Sequence, residues 1–202
     1  VYSLKKFGFN VIGVDLAEKT INIVNQILPK LDLRIADVCD LPFSDDYFSG
    51  YWSIGVIEHF FNGYDKVAEE MYRVLENKGY LFLVVPYMSP LRKLKSSLKL
   101  YEYYNSKKNV KEEQGFYQYF LNSDNVIKNF HNLGFRLIET DLIDGIKGFK
   151  DEIFLFKQIL KKPFQLLYDA KKPKYIWIIK GILDRFLKRF AAHMRLFIFR
   201  KE

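Results

Sequence analysis

Four short apolar runs, three of them followed within two residues by a carboxylate, constrain this chain more than any other feature of its sequence. The first, Phe9 to Val14, ends on Asp15, and the second, Leu31 to Ala36, on Asp37. The third, Tyr51 to Val56, leads at once into Ile57-Glu58-His59-Phe60, and the fourth, Tyr80 to Val85, stops at Pro86. Between the first two, Ile21, Val24, Ile27 and Leu28 recur at helical spacing before Pro29. Between the last two, Asp65 caps a helix that buries Val67, Met71, Val74 and Leu75, and Asn77-Lys78-Gly79 stops it with Gly79 in the left-handed conformation. Strands alternating with helices at this spacing build a parallel α/β sheet. Right-handed crossovers then place Asp15, Asp37 and Glu58 along one sheet edge, the edge where open α/β sheets bind ligands.

The second half is less regular. Residues 88–121, rich in Lys and Tyr, read as helical segments forming a lid over that edge. Ser123 caps a helix ending at Gly134, Phe135 to Ile143 is strand-like, and residues 153–193 read as helices broken near Pro163 and Pro173. Ile176, Ile179, Leu183, Phe186, Leu187 and Phe190 form a stripe at helical period, and Arg195 to Lys201 reads as a closing strand. The expected organisation is a core over 1–149, and a basic, aromatic helical insertion with the closing strand of the same domain over 150–202.

Charge divides along the same line. Residues 1–85 hold 8 Lys and Arg against 12 Asp and Glu, whereas residues 150–202 hold 14 against 5. An anionic partner therefore meets the back of the chain. With one cysteine, Cys39, an internal disulfide is excluded, and a reducing, cytoplasmic setting is expected. No uncharged apolar run reaches the length of a membrane span, and the first residues lack a signal-peptide pattern.

The segments VIGVD at 11–15, ADVCDLPF at 36–43, GVIEHF at 55–60, RVLENKGYLFLVVP at 73–86 and LGFRLIE at 133–139 together resemble the class I S-adenosylmethionine-dependent methyltransferases, particularly the ubiquinone O-methyltransferase-like branch. The resemblance implies a Rossmann-like methyltransferase sheet with helices on both faces and an antiparallel last strand. It also implies a sequence lacking the family's first strand and the glycine-rich loop that follows it. The implied activity is methyl transfer from S-adenosylmethionine to a small-molecule or lipid-linked acceptor, at oxygen.

By the same resemblance Asp15, with Leu16 beside it, holds the ribose hydroxyls of the cofactor. Asp37 and the Val38 amide meet the adenine, and Ser53 and Gly55 line the cofactor with backbone. His59 is the candidate base, and Glu58, Tyr87, Arg92 and Tyr117 are candidate substrate contacts. Gly55 stands where ubiquinone-type relatives have the first of two metal-binding glutamates, so no metal site is expected. Each position has a plainer reading: Asp15-Leu16-Ala17-Glu18 as a capping box, Asp37 as a turn residue, Glu58 and His59 as loop braces, and the 175–190 stripe as core.

Two other functions fit the same residues. One is a nicotinamide-dependent oxidoreductase using Asp15, and the other a degenerate methyltransferase-like domain serving as a basic adaptor. Peripheral contact of residues 153–193 with an anionic membrane is a further expectation, while nucleic acid is disfavoured for want of a binding module.

Overall fold

The computed structural model describes residues 1–98, 118–153 and 174–202. In chain order these form α1 (Tyr2–Lys6), β1 (Ile12–Asp15), α2 (Glu18–Ile27), β2 (Asp32–Ile35), β3 (Phe48–Ile54), a 3₁₀ turn (Ile57–His59), α3 (Asp65–Val74) and β4 (Leu75–Pro86). There follow α4 (Pro90–Ser97), α5 (Ser123–Asn132), β5 (Phe135–Ile143), α6 (Gly145–Glu152), α7 (Lys174–Ala191) and β6 (Met194–Lys201).

The strands form two separate ladders. β1 pairs parallel with β2, from Ile12 opposite Asp32 to Asp15 opposite Ile35. The other four run in the order β3-β4-β6-β5, with β3 and β4 parallel and β6 antiparallel to both its neighbours. No ladder joins β1 to β3, and a groove runs between them, walled by residues 9–15 on one side and 48–54 on the other. This is a Rossmann-like α/β architecture with an antiparallel last strand.

One face of the four-stranded sheet is sealed. Val67 and Met71, spaced at i and i+4, point from α3 onto the sheet, and Val126 and Phe130 do so from α5. They close over Leu81, Leu83, Phe135, Phe197 and Phe199, all fully buried. The opposite face keeps Trp52, Ile54 and Tyr80 exposed.

The β1–β2 pair is attached by side chains rather than by backbone pairing. Ala36, Leu41 and Val74 make a small core to which Val14, Phe43, Phe48 and Tyr51 contribute. Above it the Arg73 guanidinium donates to Glu70 Oε1 and Oε2 at 2.7 Å each, Phe43 O at 2.7 Å, Leu41 O at 3.0 Å and Asp45 Oδ1 at 2.9 Å. Glu70 in turn accepts from the Leu41 amide at 2.8 Å. The loop leading from β2 to β3 is thus strapped to α3. Lys201 plays a similar part for the last strand: its ammonium donates to Asp46 Oδ1, Tyr72 O and Leu75 O at 2.8, 2.9 and 2.7 Å.

Several local expectations change. The left-handed residue after α3 is Lys78, with φ 68°, and not Gly79. Gly79 is needed for space, because a Cβ there would come within 2.8 Å of Glu76 O. Three residues of β4 bulge out at this point, since Phe48 pairs with Leu75 but Gly50 with Tyr80. The cap of α5 is Asn122, whose Oδ1 accepts from Asp124 N and Asn125 N, and Ser123 is the first helical residue. Asp65 likewise begins α3 without capping it.

Replacing Arg73 by Ala is expected to destabilise the fold by about 2 kcal/mol, the scale of losing hydrogen bonds to a charged group. Lys at this position restores only part, since it cannot grip both Glu70 oxygens. Arg73 holds the Glu70 carboxyl below its ordinary range, outweighing burial, with the Leu41 amide assisting. That stabilisation is complete above Glu's ordinary value of 4.5 and is lost as pH falls through the lower folded value. Urea unfolding should therefore show the gap between wild type and R73A narrowing in acid; a gap independent of pH would count against the clamp.

Candidate functional site

Asp15 sits exposed at the tip of β1 and lines the groove between the two sheets. Its Oδ1 accepts from the Ala17 amide at 2.8 Å. Because α2 starts at Glu18 with Ala17 at its cap and no side-chain cap bond, the capping box does not form. Leu16 beside it is exposed.

Asp37 behaves differently. Its Oδ1 accepts from Cys39 N at 2.8 Å, its carbonyl accepts from Asp40 N at 3.1 Å, and it is absent from the groove wall. The turn reading is realised there. Val38 does line the groove, and so the structure gathers Asp15, Val38 and Ser53 but leaves the Asp37 carboxylate outside.

The end of β3 holds the most unusual electrostatics. Gly55 turns the chain with φ 68°, and its amide donates to Val84 O at 2.9 Å. On either side lie two buried polar atoms, Ser53 Oγ and Glu58 Oε2, which find no hydrogen-bond partner among the described residues. Such orphans cost free energy in a sealed interior and point to a bound polar group. Burial pushes the Glu58 carboxyl above its ordinary range, offset in part by its own backbone amide and by His59. His59 itself faces outward.

The proposed substrate contacts scatter. Arg92 is buried rather than presented to a ligand. Its Nε donates to Glu152 Oε1 at 2.7 Å and its Nη1 to Tyr87 O at 2.7 Å and His193 O at 3.0 Å. Lys95 donates to the other Glu152 oxygen at 2.9 Å. These bonds hold α4 against α6, so an anionic acceptor finds the Arg92 guanidinium already engaged. Tyr87 is half-buried beneath the Arg195 guanidinium, 5.7 Å from its ring centroid. Tyr117 lies outside the described residues, as do Tyr101, Tyr103 and Tyr104. Tyr119 is placed: its amide donates to Glu58 O at 2.9 Å and its hydroxyl to Phe61 O at 3.1 Å, tying it to the Glu58 turn.

Trp52 and Phe82, stacked with centroids 4.3 Å apart, also line the groove. Sequence reading passed over them because every other residue of a buried strand is apolar, and which face stays open is decided by tertiary packing. The groove has a volume of about 580 Å³, within the range of small-molecule and cofactor sites. Among the described residues no cluster of three His, Cys, Asp or Glu could hold a metal.

With its folded value raised by burial, Glu58 favours stability fully below Glu's ordinary 4.5, and that advantage disappears as pH rises through the folded value. Glu58→Gln cannot ionise. Its urea midpoint should exceed that of wild type at neutral pH and converge with it in acid. A lower midpoint for the Gln variant at neutral pH would show that the ionised carboxylate has a partner after all.

Comparison with known proteins follows the same lines. Residues 1–83 match the family described as a methyltransferase domain. An uncharacterized protein of Methanocaldococcus jannaschii is 36% identical over 84 residues, which make up 42% of this chain and 35% of that protein. The chain thus matches about a third of that relative's length. A SAM-dependent methyltransferase from Methanosarcina mazei superposes with a TM-score of 0.63 at 12% identity, covering 99% of this chain and 85% of the other. One from Archaeoglobus fulgidus gives 0.59 at 17% identity, covering 99% and 80%. The [4+2]-cyclase SpnF gives 0.58 at 12% identity, covering 98% and 70%. At such identities the likeness is one of fold, and the architecture is the Rossmann-like fold of the SAM-dependent methyltransferases.

Proposed function

We propose that this chain carries the catalytic domain of an S-adenosylmethionine-dependent methyltransferase acting on a small-molecule or lipid-linked acceptor, at oxygen. The observation that carries the reading is the gathering of the Asp15 carboxylate, Val38 and the orphaned Ser53 hydroxyl around one groove. Support comes from the methyltransferase-domain match over 1–83 and from the fold. Fold alone does not decide chemistry, since the SpnF cyclase shares it.

The residues present suit the cofactor. Asp15 has an exposed carboxylate fit to accept from a pair of ribose hydroxyls, Val38 flanks the adenine, and Ser53 borders the remainder, with the Gly55 turn just beyond the groove wall. When bound, S-adenosylmethionine supplies an activated methyl group, and the protein's task is to align donor and nucleophile. Glu58, uncharged over a wider pH range than an exposed glutamate, orients an acceptor by hydrogen bonding. His59, exposed beside it, takes the proton from a hydroxyl nucleophile.

The groove also extends along the open edges of both β1 and β3, and beside it Trp52, Ile54 and Tyr80 remain exposed. A strand parallel to both would complete one sheet there and narrow the groove to its cofactor end. An unpaired pair of edges facing each other is otherwise costly and prone to aggregate.

Isothermal titration of this chain with S-adenosylmethionine and with NADH tests the assignment. The chain should bind S-adenosylmethionine. Asp15→Ala should weaken that binding about tenfold or more, the loss expected for hydrogen bonds of ~1.5–3 kcal/mol to a carboxylate. Binding of NADH alone would replace the proposal with an oxidoreductase.

A further inference from the structure

Helix α7 is apolar on two opposite faces, and among the described residues only one of them meets the protein. On the inner face Asp184 Oδ1 accepts from the Ile146 amide at 2.9 Å, and Lys188 donates to Asp141 at 2.6 Å. Gly145 and Gly148 of α6 lie so close to Lys188 and Ala191 that neither position has room for a Cβ. Ile176, Leu183 and Leu187 are half-buried around this contact.

The stripe expected to be core is therefore split, because Ile179, Phe186 and Phe190 face away from it. At 100° per residue they fall on one arc with Tyr175, Ile178 and Ile182, centred opposite the Asp184–Ala191 face. Ile178, Ile182 and Phe186 are 63%, 67% and 63% exposed. Arg185, also exposed, edges this arc, and Arg189, likewise exposed, falls within it between the directions of Ile178 and Ile182.

We propose that this outer face of α7 docks the protein on an anionic lipid bilayer, the helix lying in the interface with Ile178, Ile182 and Phe186 among the acyl chains. From Tyr175 to Phe190 a rise of 1.5 Å per residue gives an apolar ridge of about 23 Å, and the long stems of Arg185 and Arg189 carry their guanidinium groups to headgroup level. No helix among the described residues is long and apolar enough to cross a membrane, so α7 lies on the bilayer and does not span it.

Charge selects the occupant. Residues 150–202 hold 14 Lys and Arg against 5 Asp and Glu. Although Lys188, Arg195, Arg200 and Lys201 are engaged within the fold, the excess that remains opposes the approach of a second copy and favours a negative surface. An exposed row of Ile and Phe would gain nothing from nucleic-acid phosphates. The inference is independent of the methyl-transfer reading.

Vesicle flotation of the full chain tests it, with phosphatidylcholine vesicles and with vesicles containing equal parts phosphatidylglycerol. The chain should float with the anionic vesicles, release as salt rises, and bind phosphatidylcholine weakly. Ile182→Glu and Phe186→Glu should each weaken binding about tenfold or more with an unchanged melting temperature, since both side chains are already in water. The double change R185E/R189E should remove the preference for anionic lipid. Failure of the wild type to float, or equal flotation of I182E, overturns the proposal. So does an I182E-sensitive dimer in sedimentation velocity that ignores vesicles, which would assign the face to a second copy.

Discussion

The grip of Arg73 on Glu70 and on the carbonyls of Leu41 and Phe43 decides where half of the candidate site stands. β1 and β2 share no backbone pairing with the main sheet, so nothing in the ladders fixes their distance from β3. The loop that Arg73 holds is the covalent link between the two sheets, and the small core of Ala36, Leu41 and Val74 lies beneath it. Asp15 and Val38 belong to one side of this joint, and Ser53, Gly55 and Glu58 to the other. A planar guanidinium bridging a carboxylate and two carbonyls is a directional fastening, which apolar contact alone would not provide.

What that joint assembles is an asymmetric site. On the β1 side the carboxylate is exposed and its hydration is easily exchanged for ligand hydroxyls. On the β3 side Ser53 Oγ and Glu58 Oε2 are buried without a hydrogen-bond partner among the described residues. The first arrangement favours reversible recognition, and the second favours a group that arrives already desolvated. A nucleoside at one end of a groove and a reacting centre at the other would use both.

Much of this was legible in sequence, and the reasons for the rest are physical. Short runs ending in Asp15 and Asp37 announced parallel strands through their spacing on either side of a helical segment. The groove position of Val38 and the turn role of Asp37 could not be separated, because adjacent residues differ only in which way the backbone points them. Arg92 read as a free cation since its partner Glu152 is sixty residues away in the chain. Helix α6 went unseen because Gly145 and Gly148 are poor helix formers, kept for the close approach of α7. The stripe on α7 was visible, but periodicity alone does not say whether an apolar face meets protein or water.

The position of β6 has a kinetic consequence. Although it closes the described chain, it lies inside the sheet, between β4 and β5, and β5 has no other neighbour. During synthesis β5 must therefore wait unpaired until Met194–Lys201 emerges from the ribosome. Sheet closure joins segments more than a hundred residues apart, as Tyr80 opposite Arg200 shows, and such distant pairings fold slowly. Until then Phe130 and Phe135 lack their cover from Phe199, and the nascent protein offers chaperones an aromatic surface that the finished molecule conceals.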